Sequence, residues 1–296
     1  MVVINRKSVL SGILVQEVMR RQVVSLSLEA SIKKGINALI KYKVNAVLVT
    51  DQGGQPQGVV TGTDLMSAFY AGLPLEMELE NILSSPPLSC FPDDVLEDGL
   101  DLMKEHRVHQ VYVQGEQPRR IVGFLAYSDI VGLLYRTCWA CRRNLHKSRD
   151  GQKDGGGTRP LRVEEVMTRG VASSRTDQSL DQVIETLSEN RFGAVLLQND
   201  QAMAQGVVSK TDLVLAYAHG LSLGTKAEQI MNSPVLTCGQ SDLLTMALQK
   251  MLLWDTRRIF IAQDDSPSIV GVLSLSDAAR FRSGSCLACT AGRLMA

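Results

Sequence analysis

The feature that most constrains the fold is an eight-residue sequence motif, the phrase, which occurs four times in the 296-residue chain. Each copy begins with glycine, continues as a short apolar run, and reaches an aspartate six residues after the glycine. The glycines are Gly58, Gly123, Gly206 and Gly271, and the aspartates are Asp64, Asp129, Asp212 and Asp277. A recurring phrase of this kind indicates a protein built from repeats, each of them one supersecondary unit.

The spacing of the phrase divides the chain into two equivalent halves. In each half the two aspartates are 65 residues apart, and the halves are offset by 148 residues. The same offset relates Met19 to Met167 and Cys90 to Cys238. The sequence therefore predicts two halves with two repeats in each, which agrees with a length typical of two domains.

The residues around the first copy predict the structure of one repeat. Ser31 is placed to cap a helix, because residues 32–40 form one apolar face at helical spacing. An apolar run at 46–49 and a second run at 59–60 flank a segment rich in turn-forming residues, which predicts an antiparallel hairpin. Thr61 can then cap a closing helix. The predicted order of elements is β-α-β-β-α.

Bulk properties exclude several classes of protein. The 31 basic and 31 acidic residues balance, so net charge predicts no nucleic-acid and no membrane partner. The first residues lack the pattern of a signal peptide, and six cysteines do not suggest a secreted disulfide framework. We expect a cytoplasmic protein. The sequence contains no HExxH and no GxxxxGK[ST] motif, so we do not expect an enzyme.

This pattern resembles the CBS domain family, named after cystathionine β-synthase. The resemblance rests on the Val-Met opening of the repeats, the β-α-β-β-α order and the closing Gly-apolar-apolar-Thr/Ser-x-x-Asp phrase. It implies an α/β (α+β) fold in which tandem repeats pair into two pseudo-twofold Bateman modules. The expected divisions are repeat 1 at 16–75, repeat 2 at 80–137, a CxxC segment and flexible linker at 138–163, repeat 3 at 164–223, repeat 4 at 228–284 and a CxxC tail at 285–296.

The resemblance also implies a function. Proteins of the family bind adenine nucleotides or adenosyl compounds in clefts between paired repeats and regulate another protein without catalysing a reaction. The expected ligand is ATP, ADP, AMP or a related adenosyl compound. The expected partners are a regulated protein that the sequence does not identify and, as an option, a second copy of the chain in a homodimer.

The phrase contains residue types suited to such a ligand. A carboxylate at a strand-to-helix turn can accept hydrogen bonds from both ribose hydroxyls, and the following helix start favours phosphate. By resemblance the polar ligand-binding residues are Thr61, Thr63, Asp64, Ser128, Asp129, Ser209, Thr211, Asp212, Ser274, Ser276 and Asp277. Adenine is expected to lie against Val24, Ala46, Val47, Ala194 and Val195.

Two observations limit this interpretation. Thr-x-x-Asp also resembles a capping box, which needs no ligand. In the second repeat Ala126 replaces the first hydroxyl residue, which puts phosphate contact there in doubt.

Four basic residues precede hairpin strands and could either meet phosphates across a cleft or serve as solvated helix-end charges. They are His106, His109, Arg257 and Arg258.

Two CxxC pairs suggest an alternative function. Cys138 and Cys141 follow the first module, and Cys286 and Cys289 occupy the equivalent positions 148 residues later. Four thiolates of this spacing suit Zn²⁺ or an iron–sulfur cluster, and each pair alone suits thiol–disulfide chemistry. The sequence leaves open whether the pairs make the protein metal- or redox-responsive or are ordinary residues duplicated with the rest. Cys90 and Cys238 are expected to be buried packing residues.

Overall fold

Four repeats of the same architecture form the described part of the molecule. The structure, a computed structural model, describes residues 10–84, 86–117, 120–147 and 161–281, and of 138–147 it describes the backbone alone. Each repeat has the element order β-α-β-β-α, as the sequence predicts, and repeat 3 has one additional short strand before it. Repeats 1 and 2 form the first module, and repeats 3 and 4 form the second.

The elements are bounded as follows. Repeat 1 contains β1 (Ser25–Ser27), α1 (Ile32–Lys41), β2 (Ala46–Thr50), β3 (Pro56–Thr61) and α2 (Gly62–Tyr70). Repeat 2 contains β4 (Ser89–Cys90), α3 (Leu96–Glu105), β5 (Gln110–Gln114), β6 (Ile121–Ala126) and α4 (Tyr127–Lys147). Repeat 3 contains β7 (Thr168–Arg169), β8 (Ser173–Arg175), α5 (Leu180–Glu189), β9 (Ala194–Gln198), β10 (Ala204–Ser209) and α6 (Lys210–Ala218). Repeat 4 contains β11 (Thr237–Gly239), α7 (Leu244–Leu253), β12 (Arg258–Ala262), β13 (Ile269–Ser274) and α8 (Leu275–Phe281).

Each repeat has a small mixed sheet. In repeat 1, β1 runs parallel to β2, and β2 pairs with β3 as the predicted antiparallel hairpin. The helix between the parallel strands starts where predicted, since the Ser31 hydroxyl accepts a hydrogen bond from the Lys34 amide at 3.3 Å. Its buried residues include Ile32, Ile36 and Leu39, so its apolar face closes over the sheet. This topology brings the C-terminal end of β3 directly to the start of α2.

The hydrophobic cores join the two modules instead of filling each module separately. One core combines repeats 1 and 3 with three residues of repeat 2, and the other combines repeats 2 and 4 with residues at the start of repeats 1 and 3. Helices α2 and α6 pack against each other, with the rings of Phe69 and Tyr217 stacked at 5.1 Å. The Tyr217 hydroxyl also donates to the Leu73 carbonyl at 2.6 Å. The modules therefore associate within one chain. This association brings the four strand-to-helix turns that carry the repeated phrase, the motif turns, into a single assembly.

The predicted linker needs one correction. Helix α4 continues to Lys147, so the first part of the segment predicted as linker at 138–163 is helical. The stretch contains Leu, Arg and Lys, which favour helix, and the first glycine comes only at Gly151. Residues 1–9, 148–160 and 282–296 lie outside the described part of the chain. None of the described helices combines the length and the apolarity needed to cross a bilayer.

The prediction for the two single cysteines is confirmed. Cys90 and Cys238 are buried at equivalent positions of β4 and β11, with 6% and 4% of their surface exposed. Burial raises the pKa of the Cys90 thiol to about 11 and that of Cys238 to about 12. Both residues therefore remain neutral thiols and act as small apolar side chains.

Candidate functional site

At each strand-to-helix turn, one oxygen of the motif carboxylate caps the helix that follows. Asp64 Oδ2 accepts hydrogen bonds from the amide and the hydroxyl of Thr61, both at 2.7 Å. The Thr61 hydroxyl accepts in return from the amides of Thr63 and Asp64. The same reciprocal arrangement occurs in repeats 3 and 4, and in repeat 2 the Ala126 amide donates to Asp129 Oδ2 at 3.0 Å. The capping-box interpretation is therefore correct for one carboxylate oxygen in repeats 1, 3 and 4, whereas in repeat 2 only the hydrogen bond to the carboxylate is formed, because Ala126 has no hydroxyl.

The opening segment of each repeat crosses to the turn of its module partner. Arg20 pairs with Phe124, Ser84 with Val59, Asn232 with Val207, and Thr168 with Val272, all as antiparallel bridges. In every case the bridged strand residue lies five positions before the motif aspartate. Each module thus exchanges opening segments about its pseudo-twofold axis, so the residue bridged to each turn comes from the other repeat.

The residue that crosses over determines what the second carboxylate oxygen contacts. Ser84 Oγ donates to Asp64 Oδ1 at 2.8 Å, and Asn232 Nδ2 donates to Asp212 Oδ1 at 2.8 Å. Arg20 Nε donates to Asp129 Oδ1 at 2.7 Å. For Asp277 Oδ1 we find no hydrogen-bond donor among the described residues. Among the described residues, the second carboxylate oxygen therefore has no donor in repeat 4, accepts from a neutral side chain in repeats 1 and 3, and is held by a cation in repeat 2.

The glycine that starts each phrase is required by this crossing. A Cβ on Gly58 would lie 2.5 Å from the Ser84 carbonyl oxygen, and one on Gly123 would lie 2.7 Å from the Arg20 carbonyl oxygen. The corresponding distance is 2.8 Å between Gly271 and Thr168. Only glycine allows the backbones to approach this closely, so the position is fixed by packing between repeats and not by a turn.

A cluster of basic residues lies where the four repeats meet. His109 comes from repeat 2 and Lys210 from repeat 3, while Arg257, Arg258 and Arg280 come from repeat 4. Lys210 Nζ donates to Thr63 Oγ1 of repeat 1 at 3.0 Å. The Arg258 guanidinium packs against Gly193 of repeat 3, which leaves no room for a Cβ there. The cluster thus borders the motif turns of both modules.

The electrostatics of this cluster favour an anion. Burial lowers the pKa of Arg258 to about 10, and the neighbouring Arg257 lowers it further, against the attraction of Asp277 and Asp212. Burial is also the largest cause of the lowered pKa values of Arg257 and Lys210. Part of the Arg257 surface remains exposed, and Arg258 is half-buried. Solvent therefore still reaches these cations, although protein atoms surround them closely. An entering anion would relieve their mutual repulsion and replace lost hydration.

His109 belongs to the same group. Its side chain keeps exposed surface, but the loss of hydration caused by the protein atoms around it lowers its pKa to about 4, and the charges of Arg258, Arg257, Lys210 and Arg280 lower it further. Its ring makes an edge contact with Tyr127 at 5.7 Å, and the Arg280 Nε donates to the Tyr127 hydroxyl at 3.2 Å. His109 is therefore a neutral imidazole at pH 7, available as a hydrogen-bond donor beside the cations.

The predicted polar residues divide according to their contacts. Ser128 accepts from Arg20 Nη2 at 3.1 Å, and the hydroxyls of Ser274 and Ser276 lie 2.7 Å apart. Thr211 is exposed at the start of α6. Of the basic residues, His106 is the exposed C-cap of α3, in the helix-end role, whereas His109, Arg257 and Arg258 converge.

The predicted adenine wall needs correction at two positions. Val47 and Val195 have no exposed surface and belong to the core shared by repeats 1 and 3. Ala46 and Ala194 keep 7% and 9% of their surface, and Val24 is half-buried. The central strands β2 and β9 are covered on both faces, so alternation along them does not expose every second side chain. A ligand can therefore meet Val24, Ala46 and Ala194, but not the side chains of Val47 and Val195 in this conformation.

Comparison with known proteins identifies the repeats. A family model described as the CBS domain matches residues 15–71, 79–136, 163–219 and 227–284, which together make up more than half of the chain. This chain belongs to the CBS domain family. The architecture of paired repeats in two Bateman modules is thereby established. The exact ends predicted for the four repeats stay predictions; they are 16–75, 80–137, 164–223 and 228–284.

Relatives of this CBS protein are distant. The uncharacterized protein MJ1225 of Methanocaldococcus jannaschii is 21% identical over 207 residues, covering 69% of this chain and 70% of the relative. Its crystal structure, described as that of a suggested archaeal homologue of g-AMPK, matches with a TM-score of 0.74 at 13% identity over 91% of this chain and 99% of that one. An uncharacterized conserved protein from Pyrococcus horikoshii matches with a TM-score of 0.58 at 15% identity, over 91% and 100% of the two chains. These likenesses establish the fold.

One relative of the CBS chain bears the name of an enzyme. A homoserine O-acetyltransferase of Methanosarcina acetivorans is 26% identical over 127 residues, which are 43% of this chain and 23% of the transferase. Because more than three quarters of the transferase has no counterpart in this match, its activity cannot be transferred to the CBS chain.

The CxxC pairs remain untested predictions. Cys138 and Cys141 lie within α4, in the stretch described by its backbone alone, and Cys286 and Cys289 lie outside the described residues. Within the described ranges no group of three or more His, Cys, Asp or Glu side chains is arranged to hold a metal ion. The zinc, iron–sulfur and redox hypotheses therefore gain no support.

The lowered pKa of His109 predicts a pH dependence of stability. Because the pKa is about 4 in the folded protein and about 6.5 in an unfolded chain, the unfolded chain binds more protons between these values. Stability that is present above pH 6.5 is lost as the pH falls towards 4. We expect His109→Gln to lose less free energy of unfolding than wild type between pH 7 and pH 4.5 in urea denaturation. His219→Gln, at an exposed helix end, is the control, and equal losses in wild type and His109→Gln would contradict the assignment.

Proposed function

We propose that this protein is a non-catalytic regulatory sensor that binds adenine nucleotides in clefts between paired CBS repeats. The observation that carries the proposal is the convergence of cations from repeats 3 and 4, with neutral His109 of repeat 2, beside motif carboxylates of both modules. Ribose hydroxyls would donate to a motif carboxylate, and the phosphates would extend towards the cations. The CBS family, which typically binds adenosyl ligands, supports the same function.

The charge of the cluster discriminates among adenosyl ligands. The cations Lys210, Arg257 and Arg258 favour AMP, ADP or ATP over a neutral or positively charged adenosyl compound. Arg can contact phosphate oxygens through two parallel hydrogen bonds, and neutral His109 can add a donor. A phosphate therefore supplies the negative charge that this junction lacks.

The turn of repeat 4 is the best candidate for ribose. The free oxygen of Asp277 is not engaged by a described donor, and Arg258 is close enough for the two charges to interact. In repeats 1 and 3 a ligand must displace the neutral donors Ser84 and Asn232 from their carboxylates. Displacing such a hydrogen bond costs little net free energy, because the ribose hydroxyls replace it.

Two cavities lie away from these turns. One, of about 280 Å³, lies between the C-terminal ends of α2 and α6 and is lined by residues such as Leu73 and Tyr217. The other, of about 360 Å³, lies between hairpin tips of repeats 1 and 2, near Gln55 and Arg120. Neither is lined by a motif aspartate, so neither offers the paired recognition of ribose and phosphate.

Binding of nucleotide to the purified protein tests the proposal. In isothermal titration calorimetry we expect AMP to bind wild type and Asp277→Asn to weaken the repeat 4 site by about tenfold to a hundredfold, since hydrogen bonds to charged groups contribute about 1.5–3 kcal/mol. Asp242→Asn is the matched control, because Asp242 also accepts an amide hydrogen bond, from Gly239 at 2.9 Å, but is not part of the phrase. The absence of binding by AMP, ADP and ATP at millimolar concentration would overturn the proposed function.

A further inference from the structure

The turn of repeat 2 differs from the other three by holding a cation on its motif carboxylate. The Arg20 guanidinium contacts Asp129 Oδ1 at 2.7 Å and Ser128 Oγ at 3.1 Å. The same group lies over the Phe124 ring, 5.6 Å from its centroid. Arg20 thus occupies both polar groups that repeat 2 keeps for a ligand.

Backbone contacts fix Arg20 in this place. Its amide and carbonyl exchange hydrogen bonds with Phe124, both at 2.9 Å. Only 9% of the Asp129 side chain is exposed, compared with 44% of Arg20. A sheltered, charge-assisted hydrogen bond is stronger than one between neutral groups, so a ribose hydroxyl cannot replace it on equal terms.

The other three crossings provide the internal comparison. At the position equivalent to Arg20 the chain has Ser84, Asn232 and Thr168, all short and uncharged. Repeat 2 is also the only one whose phrase lacks the first hydroxyl, because Ala126 stands there. The cation and the missing hydroxyl therefore occur together at one turn.

We infer that Arg20 is an internal ligand that closes the repeat 2 site to nucleotide, so that Asp129 serves structure and not recognition. The inference rests on the proposed function for the other sites. It assigns Arg20 the role of a specificity-determining residue that sets how many nucleotides the chain binds. It also predicts that replacing this one side chain with that of a sister repeat opens an additional site.

Calorimetric stoichiometry with AMP tests the inference. Arg20→Asn and Arg20→Ser introduce the residues found at positions 232 and 84, and both keep a donor for Asp129. We expect each variant to bind one more AMP per chain than wild type, and the gain to disappear in Arg20→Asn combined with Asp129→Asn. Asp129→Asn alone should leave the wild-type stoichiometry unchanged. Arg21→Asn, which changes the exposed neighbouring arginine, is the control.

The outcomes separate the inference from the proposed function. If wild type binds AMP and neither Arg20 variant binds more, the inference is wrong and the proposed function stands. If wild type binds no AMP but Arg20→Asn binds one, the inference holds and the proposed function is wrong for the native protein. If neither binds AMP, both are wrong. Thermal unfolding of each variant in the absence of AMP shows which variants are folded, and Arg20→Ser keeps the test available if Arg20→Asn does not fold.

Discussion

Replacing Arg258 with glutamine is expected to reduce AMP affinity by about tenfold to a hundredfold, while adenosine affinity changes little. The glutamine keeps a polar but shorter side chain and removes the charge that would face phosphate. A charge-assisted hydrogen bond contributes about 1.5–3 kcal/mol, and each 1.4 kcal/mol corresponds to about a factor of ten. The loss should be confined to ligands that carry phosphate.

Calorimetry with AMP and adenosine in parallel measures this effect. Arg175→Gln is the matched control, because it removes an exposed arginine that pairs with Asp177 and Asp200 at the surface, away from the phrase. Surface pairs of this kind contribute little to stability, so the control should bind both ligands as wild type does. An unchanged ratio of AMP to adenosine affinity in Arg258→Gln would show that the cation cluster does not recognise phosphate.

Replacing Gly58 with alanine is expected to lower the free energy of unfolding by about 1–3 kcal/mol, the usual cost of overpacking a close contact. The new Cβ would lie 2.5 Å from the Ser84 carbonyl oxygen and 2.6 Å from a methyl group of Leu83. The carbonyl belongs to a backbone bridge and cannot rotate away as a side chain can. The substitution should therefore loosen the crossing between repeats 1 and 2.

The phrase itself contains the control for this substitution. Gly62 is the first residue of α2, and a Cβ there would have no atom within 4 Å. Gly62→Ala should leave stability unchanged or raise it by about 0.4–1 kcal/mol, because alanine reduces the freedom of the unfolded chain. Urea denaturation compares the two variants. If Gly58→Ala is as stable as Gly62→Ala, close packing of the crossing is not the reason for the glycine.

The sequence predicts those features that depend on local patterns. The helix cap at Ser31 and the box formed by Thr61 and Asp64 follow from residues three positions apart. The hairpin of β2 and β3 follows from two apolar runs around a turn. Equal spacing of the phrase predicts two modules, because a motif repeated at a fixed interval indicates repeated structural units whatever their side-chain packing.

Features that depend on contacts between distant segments could not be predicted. Arg20 and Asp129 are 109 residues apart, and no local pattern marks the arginine as the partner of that carboxylate. The burial of Val47 and Val195 depends on what covers the second face of each sheet. Lys210 had one available signal, since it is the only charged residue at its position in the phrase, where the other repeats have Gly62, Tyr127 and Leu275.

The second half of α4 is not predicted, for a different reason. Its basic, polar composition is typical of a linker, although a helix that already has a buried first half needs only moderate propensity to continue. The residues from Cys141 to Lys147 meet that condition. The polar composition of this segment therefore indicates where the buried core ends, but not where the helix ends.

A crystal structure of the protein grown with AMP tests the central claim most directly. The account predicts nucleotide with its ribose hydroxyls within hydrogen-bonding distance of the free oxygen of Asp277 and its phosphate directed at Arg257 and Arg258. It also predicts that Arg20 still covers Asp129. Nucleotide bound elsewhere, with the motif carboxylates serving only as helix caps, would contradict the account.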